Sequence, residues 1–176
     1  MAERLTVDPN TVTLEEAKAW LRQRVQEGAI CPCCTQLAKV HKFKFYSGTA
    51  MLIMRMRGMC DRSPDGWVHA RRDFAAVGIN IDHFNFYKLK HWGLVVAKAA
   101  SDDEDKNSSG YWKLTPLAID FIERRCAIPT HVYFYDDRVL RMSKERITID
   151  EALGTKFSYT DFISAHVPQS VAPAGV

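Results

Sequence analysis

The chain has 176 residues, of which 47% are apolar and 26% are charged, and its formal net charge is +3. This composition is typical of a globular protein and excludes a chain that is disordered throughout. No run approaches the roughly 18 apolar residues that a membrane-spanning helix needs, and the N-terminus lacks a secretory pattern. We therefore expect a cytoplasmic protein with no membrane partner, whose five cysteines are reduced.

Residues 1–46 are predicted to hold one helix and a cysteine-containing connector. Thr13 and Glu16 match a capping box at the helix start, and Gly28 is a natural helix stop. The connector contains Cys31-Pro32-Cys33-Cys34, and for the stretch that follows, an extended strand and a short basic helix both remain open.

The spacing of Cys31 and Cys34 is that of half a structural zinc site, but a second close pair is missing. A zinc site, ordinary reduced thiols and a redox pair are therefore alternatives. We expect no cofactor, and zinc held by Cys31 and Cys34 is the exception to test.

Residues 47–125 are predicted to form one domain. Its elements are a helix capped by Ser47, a turn at 63–66, a strand at 67–69, a helix at 70–77, a helix from Asn80 or Asp82 to Trp92 that Gly93 ends, strands at 94–97 and 111–114 around a polar loop, and a helix capped by Thr115 with Pro116 at its first position.

Residues 126–166 are predicted to form a C-terminal extension. A hairpin at 131–135 and 139–142 turns at Asp136-Asp137, and helices follow at 150–153 and 158–165. This segment either extends the core or forms a homodimer. Residues 167–176 are rich in Pro, Ala and Gly and are predicted to be a disordered tail.

Two motifs within residues 47–125 carry a family resemblance. The run Leu89-Lys90-His91-Trp92-Gly93-Leu94-Val95 resembles the end of the recognition helix in winged-helix transcriptional regulators. The run Tyr111-Trp112-Lys113-Leu114-Thr115-Pro116-Leu117-Ala118 resembles their second wing strand, with Ala118 where a glycine is usual. The resemblance implies an α+β fold: a winged-helix (winged helix-turn-helix) core with an N-terminal helix and a small C-terminal hairpin and helix extension.

The whole chain also resembles a group of small bacteriophage proteins. They share an early Cys-Pro-x-Cys motif, the winged-helix segment and a tail like Ile149-Asp150-Glu151-Ala152-Leu153-Gly154-Thr155-Lys156-Phe157. This resemblance implies a phage origin, hence the host cytoplasm, and a role in transcription regulation. It brings no catalytic residues.

DNA binding is the function that these features favour. Residues 35–72 carry eight basic side chains against two acidic ones, as a surface facing DNA phosphates would. Asn85 is expected to pair with adenine, and Lys88 to contact guanine or phosphate. The residues predicted to contact double-stranded DNA are Lys44, Arg55, Arg57, Arg71 and Arg72 on the backbone, and Asn85, Tyr87, Lys88 and His91 on an exposed helix face.

Two other classes of function stay open. The loop from Asp102 to Asp105 is acidic where a DNA-contacting wing is usually basic, which is typical either of a solvated hairpin tip or of a winged-helix adaptor that binds a protein partner. A thiol-dependent or metal-dependent enzyme would rest on Cys31 and Cys34. Phosphate-loop, HExxH, GxSxG and GxGxxG motifs are absent from the sequence, so a protein without enzymatic activity is expected.

Overall fold

A computed structural model of the chain describes residues 12–99, 110–155 and 157–160, and it confirms a mixed α and β fold with small antiparallel sheets. The described residues group into two compact units. The first comprises residues 12–44 and 131–143, and the second comprises residues 45–99, 110–130, 144–155 and 157–160. Within these ranges, no helix combines the length and the hydrophobicity needed to cross a membrane.

The elements of the described residues are short. In chain order they are α1 (Leu14–Arg24), β1 (Ala29–Ile30), β2 (Leu37–Ala38), β3 (His41–Lys44), α2 (Ser47–Arg62), β4 (Val68–His69), α3 (Ala70–Ala76), two 3-10 helices (Ile81–Phe84 and Phe86–Trp92), β5 (Val95–Ala97), β6 (Tyr111–Leu114), α4 (Pro116–Ile122), β7 (Ile128–Pro129), β8 (His131–Tyr135), β9 (Arg138–Met142), β10 (Arg146–Ile147) and α5 (Ile149–Leu153). Sheets of two or three such strands depend on packing against other elements for their stability.

The first unit begins with the predicted helix and its capping box. The Thr13 hydroxyl accepts the backbone N–H of Glu16 at 3.3 Å, and the Glu16 carboxylate accepts the backbone N–H of Thr13 at 2.9 Å. The helix ends at Arg24, four residues before the predicted stop. Gly28 instead turns the chain toward β1, with a φ of +100° that a residue with a side chain rarely adopts.

The larger sheet of the first unit has the strand order β3-β8-β9. The connector is therefore extended at β3, which was one of its two alternatives. The predicted hairpin is confirmed, and Asp136 and Asp137 both have the positive φ that a tight two-residue turn requires. Because β8 pairs with β3 over four residues, the hairpin belongs to the first unit, and the predicted C-terminal extension is divided between the two units.

Helix α2 forms the centre of the second unit. Leu52, Ile53 and Met56 are fully buried on it, as the predicted core stripe requires. Ser47 is not the cap. The N-cap is Tyr46, because its carbonyl already accepts the N–H of Ala50 at 3.0 Å and the helix therefore starts one residue earlier.

The sheet of the second unit has β6 at its centre, between β4 and β5. Val68 of β4 lies opposite Trp112 of β6, and Val95 of β5 lies opposite Leu114. The hydroxyl of Thr115 donates to the carbonyl of Gly93 at 2.7 Å, which closes the base of the β5–β6 hairpin. The polar loop predicted between these strands, at 101–109, lies outside the described residues.

The continuous α-helix that was predicted up to Trp92 does not form. The chain forms two 3-10 helices instead, and they meet at Asn85, whose φ of 53° and ψ of 43° are left-handed. Four residues after this break are buried: Phe86, Leu89 and Trp92, at a spacing of three residues, and His91. That spacing fits the three-residue turn of a 3-10 helix. Gly93 ends the segment as predicted, with a φ of +70°.

The remaining C-terminal elements extend the core of the second unit. β10 pairs with β7, and α5 begins with a second capping box, between Thr148 and Glu151. The Arg124 guanidinium makes two hydrogen bonds of 2.7 and 2.8 Å to the carboxylate of Asp150. The predicted helix at 158–165 lies mostly outside the described residues, and the predicted tail at 167–176 lies entirely outside them.

Candidate nucleic-acid interface

Arg71 and Arg72 are the most exposed of the arginines predicted to contact phosphate. Their side chains on α3 are 68% and 64% accessible. Each is already held by a carboxylate: Arg71 lies 3.1 Å from Asp82, and Arg72 lies 2.7 Å from Asp73. The hydrogen bond from Arg72 is the main reason that the pKa of Asp73 is lowered. Both guanidiniums are therefore ion-paired while their side chains stay largely exposed.

A network of side chains fixes the start of α3. His69 caps the helix, because its Nδ1 accepts the backbone N–H of Arg72 at 3.2 Å. In return, the carboxylate of Asp73 accepts the backbone N–H of His69 at 2.8 Å. The two arginines thus extend from a short helix whose first turn is well ordered by hydrogen bonds.

An open cavity of about 380 Å³ lies next to Arg71, between α3 and the first 3-10 helix. Asp82 and Asn80 line it together with the turn at 78–79. The side chain of Asn80 accepts the N–H of Asp82 at 3.0 Å, which confirms one of the two predicted caps. This groove separates the two elements that carry the exposed polar residues of the site.

Arg55 and Arg57 lie on α2 and are only half-exposed. Arg57 is hydrogen-bonded to Asp61 at 2.8 Å and lies 3.5 Å from Glu123, at the end of α4. This geometry favours a structural role for Arg57, joining α2 to α4, over contact with phosphate.

The 3-10 segment exposes a different set of side chains from the predicted helix face. Asn85 is exposed, whereas Tyr87 and Lys88 are half-buried. The prediction that His91 lies on the exposed face is wrong, since its side chain is only 5% accessible. A spacing of three residues places His91 on the face of Asn85 and Lys88, away from Phe86 and Leu89, so the change of helix type does not account for its burial. The predicted face also left out Lys90, which is exposed.

Two aromatic side chains of the 3-10 segment, Tyr87 and Phe84, pack inside the second unit. Tyr87 lies against the rings of Phe86 and Trp112, with both centroid distances 5.6 Å. Phe84 packs on α2 at Gly48, where a Cβ would lie 2.6 Å from the Phe84 ring. These contacts hold the 3-10 segment against the core of the second unit.

Lys44 is not in the unit that contains the other predicted DNA-contacting residues. It belongs to β3 in the first unit, where it pairs with His131 of β8. The basic block recognised in the sequence is therefore distributed over both units. In the second unit, two further lysines belong to the β5–β6 hairpin: Lys98 and Lys113 each lie within 6 Å of the Trp67 ring.

The turn between β1 and β2 contains Cys31 and Cys34. Partial burial opposes ionisation of Cys31, but hydrogen bonds from the backbone N–H groups and thiols of Cys34 and Cys33 outweigh it and lower its pKa. Cys34 and His41 line the same cavity of about 250 Å³.

The metal alternative gains no further ligands from the structure. Over the described residues, no three His, Cys, Asp or Glu side chains converge in a way that could hold a metal ion. Cys31 and Cys34 by themselves supply only half of the four ligands that a structural zinc ion takes. The arrangement fits an ionisable thiol better than a metal centre.

Comparison with known proteins gives no relative from which a site could be transferred. No protein-family model, no curated protein and no solved structure matches this chain.

Proposed function

We propose that residues 47–125 form a winged-helix core through which the protein binds double-stranded DNA, without catalysing a reaction. The order of elements in the second unit supports this most directly: helix, strand, helix, 3-10 segment, strand, strand, helix, with β4 and β5 flanking β6. In a winged-helix domain, the segment after the second helix enters the major groove, and the wing lies against the backbone. Here that segment comprises the two 3-10 helices.

The charges on α3 and on the 3-10 segment suit phosphate contact. Residues 70–92 carry four basic side chains, Arg71, Arg72, Lys88 and Lys90, against two acidic ones. The carboxylates paired with the two arginines do not prevent DNA binding, because exposed ion pairs contribute only about 0–1 kcal/mol. A phosphate can replace such a carboxylate with similar hydrogen bonds. The ion pairs orient the guanidiniums until DNA takes the place of the acid.

Base recognition is assigned to Asn85. It stands exposed where the two 3-10 helices meet. An asparagine amide can donate to and accept from one adenine in the major groove, which a lysine at the same place could not do. Lys88 and Lys90 then supply contacts to phosphate or guanine, and His91 takes no part.

The test is binding of the full chain to random-sequence duplex DNA, measured by fluorescence anisotropy over a salt series. The plot of log affinity against log salt has a negative slope. If Arg71 and Arg72 each contact a phosphate, Arg71→Ala with Arg72→Ala makes this slope shallower by about 1.8. Arg124→Ala with Arg125→Ala is the matched control. These two arginines are also adjacent in sequence and ion-paired, and they lie at the end of α4. The control variant removes the same charge and should leave the slope unchanged.

Equal slopes for the two double variants would show that the basic residues of α3 do not form the interface. Absence of duplex binding by the wild-type chain at low salt would reject DNA binding and favour the adaptor, whose partner is a protein. If duplex binding is found, selection of bound sequences from a random pool tests the role in transcription regulation, which requires enrichment of a defined site.

A further inference from the structure

The sheet β3-β8-β9 of the first unit has one face rich in cations and tyrosines. Strand β8 alternates strictly: Val132 and Phe134 are buried, whereas His131, Tyr133 and Tyr135 are half-exposed on the opposite side. Because successive side chains of a strand point to opposite faces, these three residues lie on a common face. We call it the open face of the sheet.

The neighbouring strands place basic residues beside these rings. In the register, Lys42 and Arg141 flank Tyr133 on either side, Lys44 lies opposite His131, and Arg138 lies opposite Tyr135. The four cations are exposed. No Asp or Glu occurs on β3, β8 or β9, and the nearest carboxylates in these segments are Asp136 and Asp137, at the turn where the hairpin ends.

The centre of the open face is a stacked arrangement. The guanidinium of Arg141 lies 3.6 Å from the centroid of the Tyr133 ring, and the Lys42 ammonium lies 5.7 Å from it. The outer side of a guanidinium placed over a ring is a surface on which a nucleobase can stack. The flanking cations are then placed to contact the phosphates between successive bases.

We propose that the open face of β3-β8-β9 binds single-stranded nucleic acid, with phosphates on Lys42, Lys44, Arg138 and Arg141 and bases stacked on the ring and guanidinium surfaces. A duplex has its bases stacked internally and offers only the phosphate half of this interaction. The site lies in the first unit and is independent of the DNA-binding function proposed for the second.

The exposed edge of β9 suggests a rival occupant. Val139, Leu140 and Met142 are also exposed on this strand, and an open edge can add a strand from a second copy of the chain. The charges favour nucleic acid, because side-by-side pairing of two β9 strands would bring arginines of like charge together. Dimerisation is therefore an outcome for the test to detect.

The test is fluorescence anisotropy of the full chain with labelled oligo-dT and oligo-rU of about 12 nucleotides, and with a duplex of equal length. Binding to at least one of the single strands is expected, and it should persist in Arg71→Ala with Arg72→Ala, because the duplex site proposed for the second unit is separate. The two oligonucleotides distinguish DNA from RNA as the source of the ligand. Arg138→Gln with Arg141→Gln should lower the salt slope for the preferred single strand by about 1.4, for two lost phosphate contacts.

A matched control removes the same charge from the same unit. Lys18 and Arg22 are exposed on α1, and Lys18→Gln with Arg22→Gln should leave the slope as in wild type. Stacking is tested separately with Tyr133→Phe, which keeps the ring, and Tyr133→Leu, which does not. The leucine variant should bind roughly 5- to 150-fold more weakly than the phenylalanine variant.

Three results would overturn the proposal: no binding of either oligonucleotide by wild type, equal slopes for the β9 and α1 double variants, or equal affinities for the two Tyr133 variants. Sedimentation of the β9 double variant is run in parallel. A dimer that is lost in this variant, with no oligonucleotide bound by wild type, assigns β9 to self-association instead. Loss of duplex binding in the α3 variants bears only on the function proposed for the second unit.

Discussion

Two buried tryptophans of the second unit differ in how their indole N–H groups are satisfied. Trp92 is 3% accessible, and its N–H donates to the carbonyl of Pro129 at 2.7 Å. Trp112 is 5% accessible, and within the described residues its N–H is buried without a hydrogen-bond partner. The same substitution at the two positions therefore removes similar volume and has opposite polar consequences.

We predict that Trp92→Phe destabilises the protein more than Trp112→Phe. Both variants lose packing of one fused ring. Trp92→Phe additionally leaves the Pro129 carbonyl without its donor, at a cost of about 1–3 kcal/mol. Trp112→Phe removes a buried N–H that is unsatisfied and recovers a similar amount. The two free energies of unfolding should therefore differ by roughly 2–6 kcal/mol.

Urea unfolding followed by far-ultraviolet circular dichroism measures this difference, since the mutated indoles would disturb a fluorescence signal. The urea m-values should agree between the variants, so that midpoint shifts report stability. Equal destabilisation by the two substitutions, or a larger loss in Trp112→Phe, would refute the reasoning from polar satisfaction.

Three further outcomes are expected. Hydrogen bonds lower the pKa of Cys31 despite partial burial, whereas burial raises the pKa of Cys60. Iodoacetamide should therefore label Cys31 at lower pH than Cys60, as measured by peptide mass spectrometry. Labelling of both cysteines from the same pH would contradict this. Gly48→Ala should lower the midpoint of thermal unfolding, because the alanine Cβ would lie 2.6 Å from the Phe84 ring. This clash is expected to outweigh the helix propensity of alanine, which exceeds that of glycine by about 1 kcal/mol. An unchanged or higher midpoint would show that Phe84 moves aside. Thr148→Ala removes the cap of α5 and should lower the free energy of unfolding in urea by about 1 kcal/mol. A decrease smaller than the error of the fit would show that the cap does not stabilise the protein.

Local signals in the sequence predicted local structure well. The capping box of Thr13 and Glu16, the turn at Asp136-Asp137 and the helix start at Thr115 depend only on nearby residues, and all three are confirmed. Each involves a short-range hydrogen bond or turn that the side chains dictate whatever the rest of the fold.

The candidate site was less accessible to this kind of reasoning. The left-handed break at Asn85 occurs at a residue other than glycine, and it converts an expected α-helix into two 3-10 helices with a different exposed face. The predicted face also included His91, which is buried, and left out Lys90, which is exposed. The open face of the first unit depends on the pairing of β3 with β8, a long-range contact that no local pattern encodes.

The pairing of β3 with β8 also determines when the sheet of the first unit can form during synthesis of the chain. Lys44 of β3 pairs with His131 of β8, so the first unit cannot complete its sheet until most of the second unit has been synthesised. At about 5–20 residues per second, the delay on the ribosome is roughly 4–17 s. During that interval the nascent β3 strand has an unpaired edge, and its alternating lysines, Lys42 and Lys44, are the kind of charge that keeps such an edge from aggregating.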